Sequence, residues 1–422
     1  MTIDIPLFKE KWAYLTNRKV YIGVSGGVDS VVLLRLFVLC GFEVEVIHVN
    51  YQLRGEDSDR DELFVRTLCK KMRVPIHVKK VDTRAILSLE GGNLQAVARS
   101  VRYDFFQTFI EKDKNGVLAI AHHKDDQIET FFLNIARKSG LRGLACMLEK
   151  DQDKIRPLLG FSKKEIIRFA KLNHWNWRED LSNQSLKYKR NALRNKFIPE
   201  MLQYVSNLEE SVITLVNSFQ IELKNIQSSI FHLVEKTKST GCLELKDFNF
   251  LFQNQQVELL FMLGLNASEI KSFYRLIDAQ KGKYIETRNC LRVFKEKDGF
   301  SFERFFPKVV IQYTITISKT NKLPNNFSKN ELFFDLDLVE GEISMRPWKK
   351  SDRISPIGMK GSKLISDVLN DAKLKAIERL QWPVLVDVDG ILACPLITVS
   401  KKKIASQNST NIICVQVQRV IY

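Results

Sequence analysis

The sequence predicts an α/β architecture: an N-terminal parallel-sheet domain over residues 1–200, a mainly helical domain over 201–325, and a small mixed α/β domain over 326–422. Three observations predict it. Short apolar runs alternate with helical patterns through the first 150 residues; residues 201–238 are polar with apolar positions at helical spacing; and a turn-rich stretch, 320–329, precedes a series of short strand patterns.

Residues 20–24 form an apolar run, followed by a glycine turn and a stretch, 31–39, that is apolar except for Arg35. A second strand pattern covers 43–49, a helix 56–72, a third strand 76–81, a helix 93–110, a fourth strand 117–121 and a helix 125–136. Strand–helix alternation of this kind implies a parallel sheet covered on both faces, with ligands bound beyond the carboxyl ends of its strands. From 155 to 199 the chain turns basic and carries Trp175 and Trp177. Val212, Leu215, Val216, Phe219 and Ile221 give the helical spacing of the middle domain. Short strands and one helix are expected beyond the 320–329 linker, and no internal repeat is visible.

Composition narrows the function. The net charge is +16, which for 422 residues points to a polyanionic partner, because clustered Lys and Arg displace counterions from phosphates. No stretch approaches the ~20 apolar residues of a membrane helix. Residues 1–11 lack a basic-then-apolar leader pattern, so a cytoplasmic location is expected. The seven cysteines are scattered without a C-x-x-C pair, which argues against a zinc ribbon or an iron–sulfur site and fits a reducing compartment.

The string Ser25-Gly26-Gly27-Val28-Asp29-Ser30 follows a strand and opens a helix. Adjacent glycines let backbone N–H groups approach an anion, the two serines add hydroxyl donors, and the helix start adds partial positive charge. A carboxylate beside a phosphate nest is repulsive unless a cation bridges them, so Asp29 suggests Mg²⁺ held against phosphates. The loop lacks the lysine of a Walker A motif.

A second polar site follows the fourth strand. His122, Asp125, Asp126 and Glu129 fall at i, i+3, i+4 and i+7, one face of a helix and its lead-in. Ile128, Phe131, Phe132 and Ile135 share a neighbouring face that would bury against the sheet. Two basic clusters complete the inventory. Lys187, Lys189, Arg190, Arg194 and Lys196 lie within ten residues, with Tyr188 among them; Arg346, Lys349, Lys350, Arg353, Lys360 and Lys363 surround Trp348. Cations interleaved with aromatics suit RNA phosphates and unpaired bases.

In this order the motifs resemble the tRNA(Ile)-lysidine synthases, a family of PP-loop enzymes. The likeness continues in Asn50-Tyr51-Gln52-Leu53-Arg54, in Asn93-Leu94-Gln95-Ala96-Val97-Ala98-Arg99 with Arg102-Tyr103, and in Ser139-Gly140-Leu141-Arg142-Gly143-Leu144. It runs on through Arg156-Pro157-Leu158-Leu159, Trp177-Arg178-Glu179-Asp180-Leu181-Ser182-Asn183 and Tyr188-Lys189-Arg190-Asn191. Met345-Arg346-Pro347, Gly361-Ser362-Lys363 and Trp382-Pro383 match the family's C-terminal domain more weakly. Tyr51 stands where histidine is usual, Lys138 replaces a common glycine and Asn195 a frequent histidine.

The resemblance implies an adenine-nucleotide-alpha-hydrolase-like, Rossmann-like fold for the first domain and a two-step reaction. Cytidine O2 at the anticodon wobble position attacks the α-phosphate of ATP, and the ε-amine of free L-lysine then displaces AMP at C2. The implied partner is tRNA(Ile) with a CAU anticodon. Ser25, Gly26, Gly27, Val28, Asp29 and Ser30 would bind ATP, Asp29 would hold Mg²⁺, and Arg99 would stabilise charge on the α-phosphate. Asp126 and Glu129 would hold lysine, with His122 or Asp125 relaying its proton. Lys187, Lys189, Arg190, Arg194, Arg346, Lys349, Lys350 and Lys363 would contact tRNA. The oligomeric state is open, a homodimer included. Two rival readings remain: another PP-loop tRNA-modifying enzyme such as a thiolase, and an inactive tRNA-binding scaffold.

Overall fold

The apolar run beginning at Val20 lies inside a six-stranded sheet of order β3-β2-β1-β4-β6-β5 in the computed structural model. The structure describes residues 3–421 except 54, 91–92, 114, 180–188, 289–291, 306–308, 317–322, 324–329 and 381. Chain order in the first part is α1 (Ile5–Lys11), β1 (Val20–Gly23), α2 (Val28–Leu39), β2 (Val44–Asn50), α3 (Glu56–Met72), β3 (Ile76–Lys80), α4 (Thr83–Glu90), α5 (Leu94–Lys112), β4 (Val117–Ala119) and α6 (Lys124–Ala136). It continues through α7 (Leu141–Leu144), β5 (Lys150–Asp151), β6 (Lys154–Ile155), α8 (Lys163–Leu172), α9 (Lys189–Ala192), a π turn (Leu193–Phe197), α10 (Ile198–Tyr204) and α11 (Leu208–Thr240).

All sheet pairings are parallel except that of β5 with β6. Strand β1 pairs with β2 on one side and β4 on the other, Val20 standing opposite both Val44 and Val117. A strand enclosed in this way is apolar along its length, and Val20 and Ile22 are fully buried. Helix α2 is apolar nearly all round for a related reason: Val31, Val32, Leu33, Leu34, Leu36 and Phe37 belong to a core shared with α1, β1, β2 and α8. Helix α3 buries one stripe, Ser58, Glu62, Val65, Leu68 and Cys69. The fourth strand ends at Ala119, two residues short of its expected end, because the chain turns there to feed α6. Helix α6 packs Ile128 and Phe131 against Ile198, Leu208, Val212 and Val216.

The chain divides into two compact units, Met1–Lys224 and Asn225–Tyr422. Within the second, β7 (Cys242–Glu244), α12 (Leu245–Phe250), α13 (Gln253–Met262), α14 (Ala267–Ile277), β8 (Tyr284–Glu286), β9 (Arg292–Lys295) and β10 (Gly299–Phe302) surround an aromatic cluster. The Phe273 ring packs at a tilt against Phe300, with centroids 4.4 Å apart, and against Phe248, at 5.4 Å. The helical middle stretch therefore also carries an antiparallel sheet, β7-β10-β9-β8. Strand β11 (Val309–Thr316), inside the expected middle domain, pairs with the C-terminal strand Ile412–Ile421, which also pairs with β12 (Glu331–Asp335). The last part has two helices, Ile365–Asp371 and Ala376–Leu380, where one was expected. The expected 320–329 linker lies outside the described residues apart from Leu323. Among the described residues no helix is long and apolar enough to cross a membrane.

Candidate active site

The loop between β1 and α2 is a compact nest. Gly26 has φ +95°, a conformation that costs a residue with a side chain steric energy and glycine none. The Ser25 N–H donates to Ser30 Oγ at 3.2 Å, Ser30 Oγ donates to the Gly27 carbonyl at 2.9 Å, and the two serine hydroxyls stand 3.3 Å apart. The Arg178 N–H donates to the Gly26 carbonyl at 3.0 Å, drawing residues 177–179 over the loop. Between them opens a cleft of about 670 Å³. Ser25, Gly27, Val28 and Asp29 line it on one side, and His48, Asn50, Lys163 and Trp177 elsewhere. That volume is ample for a nucleotide.

Asp29, in the first turn of α2, does not stand free. Lys163, the first residue of α8, donates its ammonium to both carboxylate oxygens, at 2.7 and 2.8 Å. The Lys163 backbone N–H donates to Asp125 at 3.3 Å, so one residue ties together two of the acids singled out by the sequence. The sequence reading missed Lys163. Its position at a helix start after Ser162, a residue that caps α8 through Glu165, was the available signal.

The acidic helix begins as expected from its spacing, with His123 at its N-cap. Asp126 Oδ2 accepts the His123 backbone N–H at 3.0 Å, closing the first turn. Its Oδ1 accepts from Arg190 at 2.8 Å and from Arg194 at 3.2 Å. Glu129, only 1% exposed, accepts from Arg190 Nε at 2.6 Å and from Arg194 Nε at 2.5 Å. Burial alone would raise the Asp126 pKa; His123, Arg190, His122 and the cap N–H together hold it below its usual 3.8. Arg194 is held more firmly protonated: burial is the largest single influence and would lower its pKa, but the bond to Glu129 together with the charges of Glu129, Asp126 and Asp29 outweighs it.

Arg190 and Arg194, expected to contact tRNA, turn their guanidiniums onto the buried carboxylates of α6 while staying partly exposed; an unpaired Glu129 there would cost several kcal/mol. Lys189 is exposed, and Lys187 lies outside the described residues. In the second cluster Arg346 makes a two-pronged pair with Asp352 at 2.7 and 2.9 Å, and Lys363 pairs with Asp371. Lys349 and Lys350 are exposed.

The histidine nearest the acids is not His122 but its neighbour. His123 Nε2 lies 3.9 Å from Asp29 and 3.5 Å from Asp126, linking the loop after β1 to the helix after β4. His122 is held neutral, its pKa driven by burial to about 3 against the pull of Asp126. The Nδ1 atoms of both histidines are buried without a hydrogen-bond partner among the described residues. Arg99 is exposed on α5, its guanidinium 4.7 Å above the Tyr103 ring and 3.4 Å from its hydroxyl, and it does not line the cleft.

A phosphate nest and a carboxylate helix, joined at neighbouring strand ends, define a class, and comparison with known proteins identifies it. The PP-loop domain family matches residues 5–201, and the TilS substrate C-terminal domain family matches 343–417. The tRNA(Ile)-lysidine synthase of Bacteroides thetaiotaomicron is 30% identical over 90% of this chain and 90% of its own. The enzyme of the same name from Bacillus subtilis is 29% identical over 89% of each. A U34-tRNA thiolase from Methanococcus maripaludis, solved with its iron–sulfur cluster, superposes with a TM-score of 0.42 at 18% identity, over 51% of this chain and 79% of that one. The chain belongs to the tRNA(Ile)-lysidine synthase family, and is accordingly an ATP-dependent ligase of tRNA modification.

Proposed function

We propose that the two half-reactions of lysidine formation meet at the junction of β1 and β4: adenylation of the wobble cytidine of a CAU-anticodon tRNA(Ile) by ATP held at residues 25–30, then attack by free L-lysine held at Asp126 and Glu129. The observation that carries this reading is the bridge made by His123, with Asp29 on one side at 3.9 Å and Asp126 on the other at 3.5 Å. A reaction joining an activated phosphate to an amine needs its anion nest and its ammonium cradle within one substrate's reach.

Lysine's side-chain amine has a pKa of about 10.4 and arrives as a cation. Asp126 and Glu129 can grip it, but their oxygens already serve Arg190 and Arg194, so the ammonium enters by sharing or displacing a guanidinium. The amine must then shed a proton, and a carboxylate that grips the ammonium can accept it; His122, held neutral by burial with a pKa of about 3, is too weak a base to keep that proton and serves at most to relay it. Asp125 reaches the same region through the Lys163 N–H.

Among the described residues no cage of three or more metal-binding side chains exists. One carboxylate from Asp29, completed by phosphate oxygens, is nevertheless a donor set that Mg²⁺ accepts. A bound Mg²⁺ would supply charge neutralisation to the triphosphate, and Asp29 would hold it. Lys163 keeps Asp29 neutralised meanwhile and is placed to turn toward phosphate, a role first given to Arg99.

Beyond the catalytic residues 1–200, the reading assigns tRNA contacts to 201–325 and 326–422, with Lys349 and Lys350 among the exposed cations there, and a cytoplasmic setting. Burial also weighs against the thiolase alternative: it pushes Cys69 up to about 11 and both Cys146 and Cys394 to about 12, far from a reactive thiolate. The test is incubation with ATP, radiolabelled lysine and tRNA(Ile). Label should pass to RNA, and Glu129→Gln should cut transfer while leaving pyrophosphate release largely intact. Loss of both together would remove Glu129 from the lysine cradle.

A further inference from the structure

The carboxylate face of α6 does not stop at Glu129. Phe132, Leu133 and Ala136 follow it at i+3, i+4 and i+7, and across from them run Lys189, Leu193, Lys196 and Phe197. Together these form an open apolar pocket of about 380 Å³, contiguous with the Asp126–Glu129–Arg190–Arg194 network because the same two helical segments build both. Phe197 is 44% exposed, and its ring meets that of Phe132 edge-on at 5.6 Å. Lys189 and Lys196 are exposed at the mouth, with Glu200 as the one acid in the lining. The π turn Leu193–Phe197 carries three of the lining residues, Leu193, Lys196 and Phe197, and such turns concentrate at functional sites.

We propose that this pocket receives one unpaired base of the tRNA anticodon loop, the nucleotide adjoining the reacting cytidine, stacked against Phe197 with its phosphates on Lys189 and Lys196. The proposal rests on the lysidine-synthase reading of the neighbouring cradle. Three properties select a base over other occupants. The floor is aromatic and aliphatic and the rim is cationic, the combination that holds single-stranded RNA without reading base edges. The volume of about 380 Å³ admits a base together with its sugar. The distance also fits: at ~1.5 Å rise per residue, Phe132 to Ala136 lie roughly 5–10 Å along the helix from Glu129, the span of one or two nucleotides at ~3.4 Å or more each. A cytidine presenting C2 to the amine must leave its stack, and a seat for its neighbour holds the loop open while it does so.

The test uses the full-length protein and an anticodon stem-loop RNA with the fluorescent base 2-aminopurine placed immediately before or after the cytidine. Binding to the unaltered protein should quench one of the two positions. Phe197→Ala should abolish that quench and weaken RNA binding by about five- to hundredfold, the range for one lost stacked base. Phe197→Tyr, which keeps the ring, should restore both. Quenching and affinity unchanged in Phe197→Ala would overturn the proposal, as would quenching at neither position. A lower melting temperature with RNA binding intact would assign the pocket to another part of this chain and also overturn it. Should Phe197→Ala fail to fold, Lys189→Ala/Lys196→Ala carries the test: the salt slope of binding should flatten by about two charges, and an unaltered slope would refute the lysine contacts. Lysine transfer by the unaltered protein separates the two ideas, since its absence would sink the underlying reading whereas its presence with an indifferent Phe197 would sink only the pocket.

Discussion

Lys163 holds the carboxylate of Asp29 from 134 residues away, and no local pattern could have announced the pair. The SGGVDS string is different: its glycines, hydroxyls and helix start are consecutive, so its geometry could be read directly from its order. His123 falls between these cases. It precedes the helix that the sequence starts at residue 125, and the face-counting that selected His122 weighs helical positions and not the residue that caps the first turn. On the reading proposed above, Lys163→Met removes the cation nearest the phosphate nest. Cytidine adenylation, measured as pyrophosphate release in the presence of tRNA, should slow by about a hundredfold, with partial recovery in Lys163→Arg. An unchanged rate would leave phosphate charge to other groups.

Between elements, the junction of α6 with the segment 189–197 is held by four ionised side chains, two acids on one and two arginines on the other. Charge composition made residues 187–196 look like a phosphate-binding patch, because a count of cations carries no information about where carboxylates lie in space. The structure brings Arg190 and Arg194 to the acids since a buried Glu129 must be paired. Removing both, as Arg190→Ala/Arg194→Ala, strands that charge and should cost about 3–5 kcal/mol in urea unfolding. Adding Glu129→Gln to that variant should recover most of the loss, because an amide is far cheaper to bury than a lone carboxylate. If the triple variant is no more stable than the double, the junction owes its stability to the apolar contacts around Ile128 and Phe131 instead.

For the molecule as a whole, acid is the expected weakness. His122 would titrate near 6.5 when unfolded but only near 3 when folded, and burial depresses His48 in the same direction. The unfolded chain therefore takes up a proton that the native state refuses, and stability falls as pH drops below about 6.5. Between pH 6.5 and 5 the His122 contribution is about 2 kcal/mol, at ~1.36 kcal/mol per unit. Asp126, held below 3.8, contributes stability above that value and adds its loss only at lower pH. Urea midpoints at pH 7.5 and pH 5 should show the decline, and His122→Gln should lose less than the unaltered protein; equal losses would place the acid sensitivity elsewhere. The α/β alternation of the first unit was legible because buried parallel strands are written as continuous apolar runs. The pairing of β11 with the last strand of the chain was not, since it joins segments about a hundred residues apart with no periodic signal between them.

The register of β1 against β4 sets a ruler for chemistry. Neighbouring strands stand ~4.8 Å apart and are fastened rung by rung, so the gap between the turn that follows one and the helix that follows the other cannot stretch. On the proposed reading Asp126 and Glu129 hold the reacting nitrogen itself, so its distance from the activated base is set by the strands that carry the two sites. A change of register between β1 and β4 would then disarm the chemistry without touching a single functional side chain.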